Sequence, residues 1–274
     1  MGKRGILKKL NIIYAIVLVA LLVITSIAFV ALKDSAFAIN NGNMSEYSNT
    51  YSVDEVKKIV VNVTSSDINI IPDDRADTQI ITEGMLTENT EIDVKQGVLT
   101  IKEKQWFRLF DFSGLLGPNY KAKINIHLPE AYTGSVHLSN ANGEIFVDKI
   151  SIDSLRISNV SGDIKVTRTV TKDININSVS GEVNLENSIF NYIDVDTVSG
   201  NVNLLLNDLT KETNIDTISG DVDIRMETIA DSKEFNIDFD SVSGDLELEY
   251  GVYNFSTAKH FINVSTVSGD LTVG

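Results

Sequence analysis

The chain has 274 residues, with 23 Lys and Arg against 38 Asp and Glu, three His and no Cys, for a formal net charge of −15 at pH 7. Without thiols it can form no disulfide, no thiolate metal site and no cysteine nucleophile. Its acidic balance excludes the basic surface that nucleic acid requires and gives no attraction to anionic lipid, but leaves room for cationic partners.

Residues 1–39 are a distinct material. Lys3, Arg4, Lys8 and Lys9 precede a run from Leu10 to Leu32 that holds no charge and stops at Lys33-Asp34. At roughly 1.5 Å per residue a helix over this run would span about 34 Å, enough to cross a bilayer. The basic flank predicts a cytoplasmic N-terminus and an exported remainder, a single-pass protein of the cell membrane. Ala36-Phe37-Ala38 has the small-residue form of a signal-peptidase site, so cleavage after Ala38 is the alternative. The run exceeds the roughly 7–15 residues of a signal core, which favours an uncleaved anchor. Without this segment's five basic residues and one acidic residue, the chain carries 18 Lys and Arg against 37 Asp and Glu, a formal −19.

Residues 40–50, Asn-Asn-Gly-Asn-Met-Ser-Glu-Tyr-Ser-Asn-Thr, have linker composition. Residues 51–130 read as a less regular β part. Ile59, Val61 and Val63 alternate, and Ser65-Ser66-Asp67-Ile68-Asn69-Ile70 looks like a degenerate repeat with Ser66 in a glycine's place. Within it, Trp106, Phe107, Leu109, Phe110, Phe112, Leu115 and Leu116 form an aromatic segment holding the only Trp. This segment reads either as a lid over the repeat region or as an apolar patch that docks a partner or the membrane interface.

From residue 131 to 274 one unit recurs, aligned on Gly143, Gly162, Gly181, Gly200, Gly220, Gly244 and Gly269. The first four glycines are evenly spaced, and the last two intervals are clearly longer. A period of about 19 residues marks a repeat architecture. Two residues after the glycine stand Ile145, Ile164, Val183, Val202, Val222, Leu246 and Leu271; four after it stand Val147, Val166, Leu185, Leu204, Ile224, Leu248 and Val273. Five and seven before it stand pairs such as Ile174/Ile176 and Ile262/Val264, with Thr213/Ile215 the weakest. Two before it stand Ala141, Val160, Val179, Val198, Ile218, Val242 and Val267.

The i, i+2 spacing is that of a half-buried strand. From five before to two before is an odd step, so a bend or bulge is expected to return the second group inward. Each unit then reads as strand, Ser-Gly corner, strand, return. One such unit cannot bury its own apolar face, so copies must stack. The predicted fold is an all-β, parallel β-solenoid with one coil per repeat of about 19 residues; a twisted antiparallel sandwich is the alternative.

An acidic column, Glu144, Asp163, Glu182, Asp221, Asp245 and Asp270 with Asn201 among them, follows the glycines. Carboxylates stacked about 4.8 Å apart would repel by roughly 0.9 kcal/mol even in water. Splay into solvent, interleaved Lys or a divalent cation could relieve this; splay is expected, with the column a weak metal candidate. The Ser column (Ser161, Ser180, Ser199, Ser219, Ser243, Ser268) has no base beside it and reads as corner residues. His127, His137 and His260 have no metal-ligand spacing. No catalytic motif is present, so no enzyme and no cofactor are expected. The chain stops at Leu271-Thr272-Val273-Gly274 without a cap. An open coil edge recruits strands, so this coil should be covered by earlier strands, a partner or a second copy.

The repeats Ser-Asn-Val-Ser-Gly-Asp-Ile, Asp-Thr-Val-Ser-Gly-Asn-Val and Asp-Ser-Val-Ser-Gly-Asp-Leu, preceded by Ile-Asn-Ile-His-Leu-Pro, resemble the putative adhesin family of bacterial β-strand-repeat domains over about residues 51–274. With its N-terminal anchor the chain is similar to LiaG-like membrane proteins of Gram-positive bacteria. The resemblance implies a non-enzymatic, exported β-repeat domain and a link to envelope-stress responses against cell-wall antibiotics and antimicrobial peptides. Envelope-stress membrane proteins or cationic peptides are then the expected partners. A surface adhesin and a spacer without a specific ligand are the alternatives.

Overall fold

The structure is a computed structural model that describes residues 45–84, 90–103, 122–208, 210–227, 233–249 and 252–274. The expected transmembrane run and the Trp106–Leu116 segment lie outside the described residues. Among the described residues, no helix is long and apolar enough to cross a membrane.

The strands in chain order are β1 (Ser45–Ser52), β2 (Lys58–Asn62), β3 (Ser66–Asp73), β4 (Asp77–Gly84), β5 (Thr90–Lys95), β6 (Val98–Glu103), β7 (Ala122–Pro129) and β8 (Ser135–Asn142). Next come β9 (Ile145–Asp148), β10 (Ser151–Ser161), β11 (Ile164–Thr167), β12 (Val170–Ser180), β13 (Val183–Ser199), β14 (Val202–Leu206) and β15 (Glu212–Ser219). The last are β16 (Val222–Met226), β17 (Lys233–Ser243), β18 (Leu246–Leu248), β19 (Val252–Asn254), β20 (Phe261–Ser268) and β21 (Leu271–Val273).

They build a parallel solenoid with two long faces that meet at the Ser-Gly corner. The first face runs β6, β2, β8, β10, β12, the second half of β13, β15, β20 and β17, every neighbouring pair parallel. The second runs β7, β3, β9, β11, the first half of β13, β14, β16, β21 and β18, also parallel throughout. Parallel pairing offset by one whole repeat excludes the antiparallel sandwich: Ile174 lies beside Leu155 and Ile193, and Ile164 beside Ile145 and Val183. A short third side carries Ser151, Val170 and Ile189 in register. Lys149, Arg168 and Asn187, equivalent positions of successive coils, turn into it at φ of 51°, 48° and 51°.

Stacking places like over like. Val136, Leu155, Ile174, Ile193 and Ile262 form one inner column, and Ile145, Ile164, Val183, Val202, Val222 and Leu271 another; all are at most 2% exposed. Ile68 pairs with Ile145, so Ser66 holds the place of a corner glycine in a coil laid directly beside the Gly143 coil.

One inward assignment is corrected. No bulge follows the position five before the glycine: alternation continues to the residue three before it, which is Asn140, Asn159, Ser178, Thr197, Thr217 or Thr266, all buried. The apolar residues two before the glycine (Val160, Val179, Val198, Ile218 and Val267) therefore share the outer face with Asn177 and its equivalents and are half-buried there. Side chains in a strand alternate faces, and an apolar residue stacked between like neighbours is covered by them without entering the core.

Both ends depart from chain order. The first-face strand β2 lies between β6 and β8, although β6 comes later in the chain. At the other end β20 lies between β15 and β17, and β21 between β16 and β18. The layers therefore follow the order Gly200, Gly220, Gly269, Gly244. The C-terminal coil is an inner layer covered by earlier strands, and the Gly244 coil is outermost. The two longer intervals, from Gly220 to Gly244 and from Gly244 to Gly269, belong to the connections that cross a layer.

The N-terminal end is closed by antiparallel strands, with β5 on β6, β4 on β7 and β1 on β4. Strand β1 occupies residues expected in the 40–50 linker. Its polar sequence suits an outer edge strand, where the ladder to β4 supplies the hydrogen bonds and little side-chain burial is needed.

Candidate binding surfaces

The corner positions the acidic column. Its seven members stand in stack order and are exposed. Besides facing solvent, side chains in the column accept backbone N–H groups of the adjacent layer. Glu144 N–H donates to Asp67 Oδ1 at 3.0 Å, Glu182 N–H to Asp163 Oδ1 at 2.9 Å and Asp221 N–H to Asn201 Oδ1 at 3.0 Å. Asp270 N–H donates to Asp221 Oδ1 at 3.0 Å, and Asp245 N–H to Asp270 Oδ1 at 2.8 Å. The last two bonds run from the Gly220 layer to the Gly269 layer to the Gly244 layer, matching the strand order.

All five acceptors are Asp or Asn, whose short side chain reaches the neighbouring layer without overshooting. A carboxylate that accepts a backbone N–H forms a charge-assisted bond. The column is thus an interlayer tie. Among the described residues, no group of three or more His, Asp or Glu could hold a metal ion.

The Ser hydroxyls are not what ties the corner. Asn159 Nδ2 donates to Gly143 O at 3.2 Å and Gly162 O at 2.9 Å, and Asn140 Nδ2 to Ser66 O at 2.7 Å. The buried Asn three residues before the glycine supplies these bonds.

The histidines do not converge. His137 faces outward on β8, and burial first, then Arg156 and Lys58, hold its pKa below the usual value. His127 Nδ1 lies 3.5 Å from Asp73, and His260 Nδ1 is 2.6 Å from the carbonyl oxygen of Thr210.

Sequence reading missed the outer columns of the first face. Asn175 donates to Asp194 at 2.5 Å and Asn263 to Asn214 at 2.8 Å, forming side-chain ladders. Asp196 and Asp216 pair across β13 and β15 beside Asp194. Burial, then the charges of Asp194 and Asp216, raise the Asp196 carboxyl to about 6, and burial chiefly raises Asp216 as well. A raised carboxyl holds its proton more tightly folded than unfolded, so stability is greatest below the ordinary value and falls as pH rises towards 6. Melting temperature should therefore rise when pH drops from 7 to 5. Asp196→Asn should add about 1–2 kcal/mol at pH 7, allowing for solvent screening, and reduce the pH slope. An unchanged slope would show that this carboxyl titrates normally.

The remaining feature is the Gly244 coil itself. Leu246 and Leu248 occupy the inward columns, yet they are 37% and 36% exposed, against 0% for Leu271 and Val273 beneath them. The contrast arises because no layer lies beyond β18 among the described residues. The sequence signal for it was the uneven spacing, which was visible; the layer order was not.

Solved structures with a similar course of the chain include a putative adhesin from Bacteroides fragilis (14% identity, 84% of this chain and 97% of that one, TM-score 0.47). A putative adhesin from Parabacteroides distasonis gives 14% identity over 85% of this chain and 98% of that one, with a TM-score of 0.48. A putative lipid binding protein from the same organism gives 13% identity, the same coverage and a TM-score of 0.48. No curated protein matches the sequence. The family model for Toastrack DUF4097 spans residues 56–274, the whole solenoid from its first coil, and the chain belongs to that family.

Proposed function

We propose that the chain is a non-enzymatic binding module displayed outside the cell membrane, held there by residues 1–39 with the N-terminus in the cytoplasm. It works in the envelope response to cell-wall antibiotics or antimicrobial peptides, by engaging a membrane protein of that response or a cationic peptide. The observation that carries the binding reading is the Gly244 coil, where inward-column leucines stand open on an outermost layer. The Asp and Asn side chains of the corner column are engaged in ties between the solenoid's own layers. The formal −19 beyond residue 39 favours cationic over anionic partners.

The test is crosslinking in living cells with the tagged full-length protein, followed by identification of what is attached. Capture of an envelope-stress membrane protein or a basic peptide is the expected result. Recovery of only cell-wall or host-surface material would replace this reading with adhesion, and recovery of nothing with a spacer role.

A further inference from the structure

Both face-ends at the N-terminal end of the solenoid are closed. Strand β5 covers β6, and β4 with β1 covers β7. At the C-terminal end β19 pairs with residues 233–235 of β17, which belong to the short third side, and among the described residues no strand pairs with the outer edge of residues 236–243. The Asn254 side chain occupies only the start of that edge, accepting Ile237 N–H at 3.0 Å and donating to Ile237 O at 3.1 Å. Among the described residues, the second face is open along its whole last strand: β18 pairs with β21 on one edge, and no strand pairs with the other.

This edge lacks the usual protections. It contains no Lys, no Pro and no bulge, and its inward side chains are the exposed Leu246 and Leu248. Its outward side chains are acidic: Glu247 and Glu249, with Asp245 before them. Arg225 reaches Glu249 at 3.5 Å while also paired with Asp223, which leaves the strip acidic overall. A second copy pairing through the same edge would set these carboxylates against themselves, and like charges directly opposite on paired strands are destabilising.

We infer that the outer edge of β18 is a docking strand for an extended segment of a partner protein in which apolar residues alternate with Lys or Arg. This inference rests on the binding-module reading. The incoming strand adds one layer to the second face through main-chain hydrogen bonds. Its apolar side chains continue the columns that end at Leu246 and Leu248, and its basic side chains lie about 4.8 Å from Glu247 and Glu249. The edge is short, so the contact is weak, with a Kd on the order of 10–100 μM.

The test uses full-length protein in nanodiscs and three labelled peptides. The first is a short peptide alternating Lys and Val. The second has the same charge with Pro at the two central apolar positions, and the third has Glu in place of Lys. The alternating Lys peptide should bind, and the Pro and Glu peptides should bind at least tenfold more weakly. Leu246→Lys with Leu248→Lys should abolish binding while lowering the melting temperature by only a few degrees. Glu247→Lys, on the outward side, should weaken the Lys peptide and strengthen the Glu peptide, and so tests the site even if the double variant folds poorly.

Equal binding of the Lys and Pro peptides would reduce the effect to charge alone and overturn strand addition. No binding of the Lys peptide, or binding retained by both variants, would also overturn it. A concentration-dependent dimer lost in the double variant would make a second copy the occupant and overturn the partner assignment. A cellular partner that still crosslinks to the double variant would leave the binding module standing and remove this edge from it.

Discussion

Gly181→Ala should cost at least about 4 kcal/mol, whereas Ser180→Ala one residue earlier should stay within about 0.5 kcal/mol. Gly181 sits in the middle of the stack at φ +124°, a conformation that side chains rarely adopt and that costs about 1–3 kcal/mol on its own. A Cβ there would also meet the Gly162 carbonyl, whose carbon would be 2.7 Å away and whose oxygen would be closer still. The obstacle is backbone held in a ladder on both sides, so it cannot swing aside as a flexible side chain would. Relief would require the layers to separate, and each layer depends on its neighbours for burial. The melting temperature should fall by about 8–16 °C, at the roughly 2–4 °C per kcal/mol expected of a domain this size. Equal effects for the two substitutions would show that the corner is looser than its geometry.

The second large effect separates layer order from chain order. Residues 242–246 and 267–271 are the same pentapeptide, Val-Ser-Gly-Asp-Leu. Leu246 is 37% exposed in the outermost layer and Leu271 is fully buried one layer in. Leu271→Ala should therefore cost about 2–5 kcal/mol, as buried leucines do. Leu246→Ala should cost less than about 1 kcal/mol, since much of its surface already meets solvent. If the coils stacked in chain order, Leu271 would be terminal and the two values would be reversed. Chemical denaturation of the two variants beside the parent chain measures both.

That shared pentapeptide also shows where sequence reasoning stops. The period, the glycine column and the inner columns at Ile174, Ile176, Val183 and Leu185 could be read directly, because parallel stacking repeats the same environment once per coil and selects the same residue types. The columns also place Ser66 in register with the glycines. Layer order leaves no such mark. The two last coils carry interchangeable cores, and only the longer intervals before Gly244 and Gly269 hint that the chain passes over a layer and returns.

The position two before the glycine misled for a related reason. Val179 is apolar because like residues stack on it along the outer face, while the inward position beside it belongs to Ser178, whose equivalent Asn159 ties the corner carbonyls. Hydropathy alone assigns the valine to the core. The acidic column likewise hid its purpose, since the N–H groups it accepts belong to the adjacent layer, and an Asp-to-backbone bond has no sequence signature. What could be read of it was an acid, or Asn201, after each corner glycine.

The open edge exists only with this layer order, the Gly269 coil inside the stack and the Gly244 coil at its end. Native-state hydrogen exchange of the full-length protein measures it directly. Amides of Leu271, Thr272 and Val273 should be among the well protected, and the outward-facing amides of Leu246 and Leu248 should exchange at near-surface rates. Protection of Leu246–Leu248 with fast exchange at Leu271–Val273 would put the C-terminal coil at the end of the stack and contradict the account.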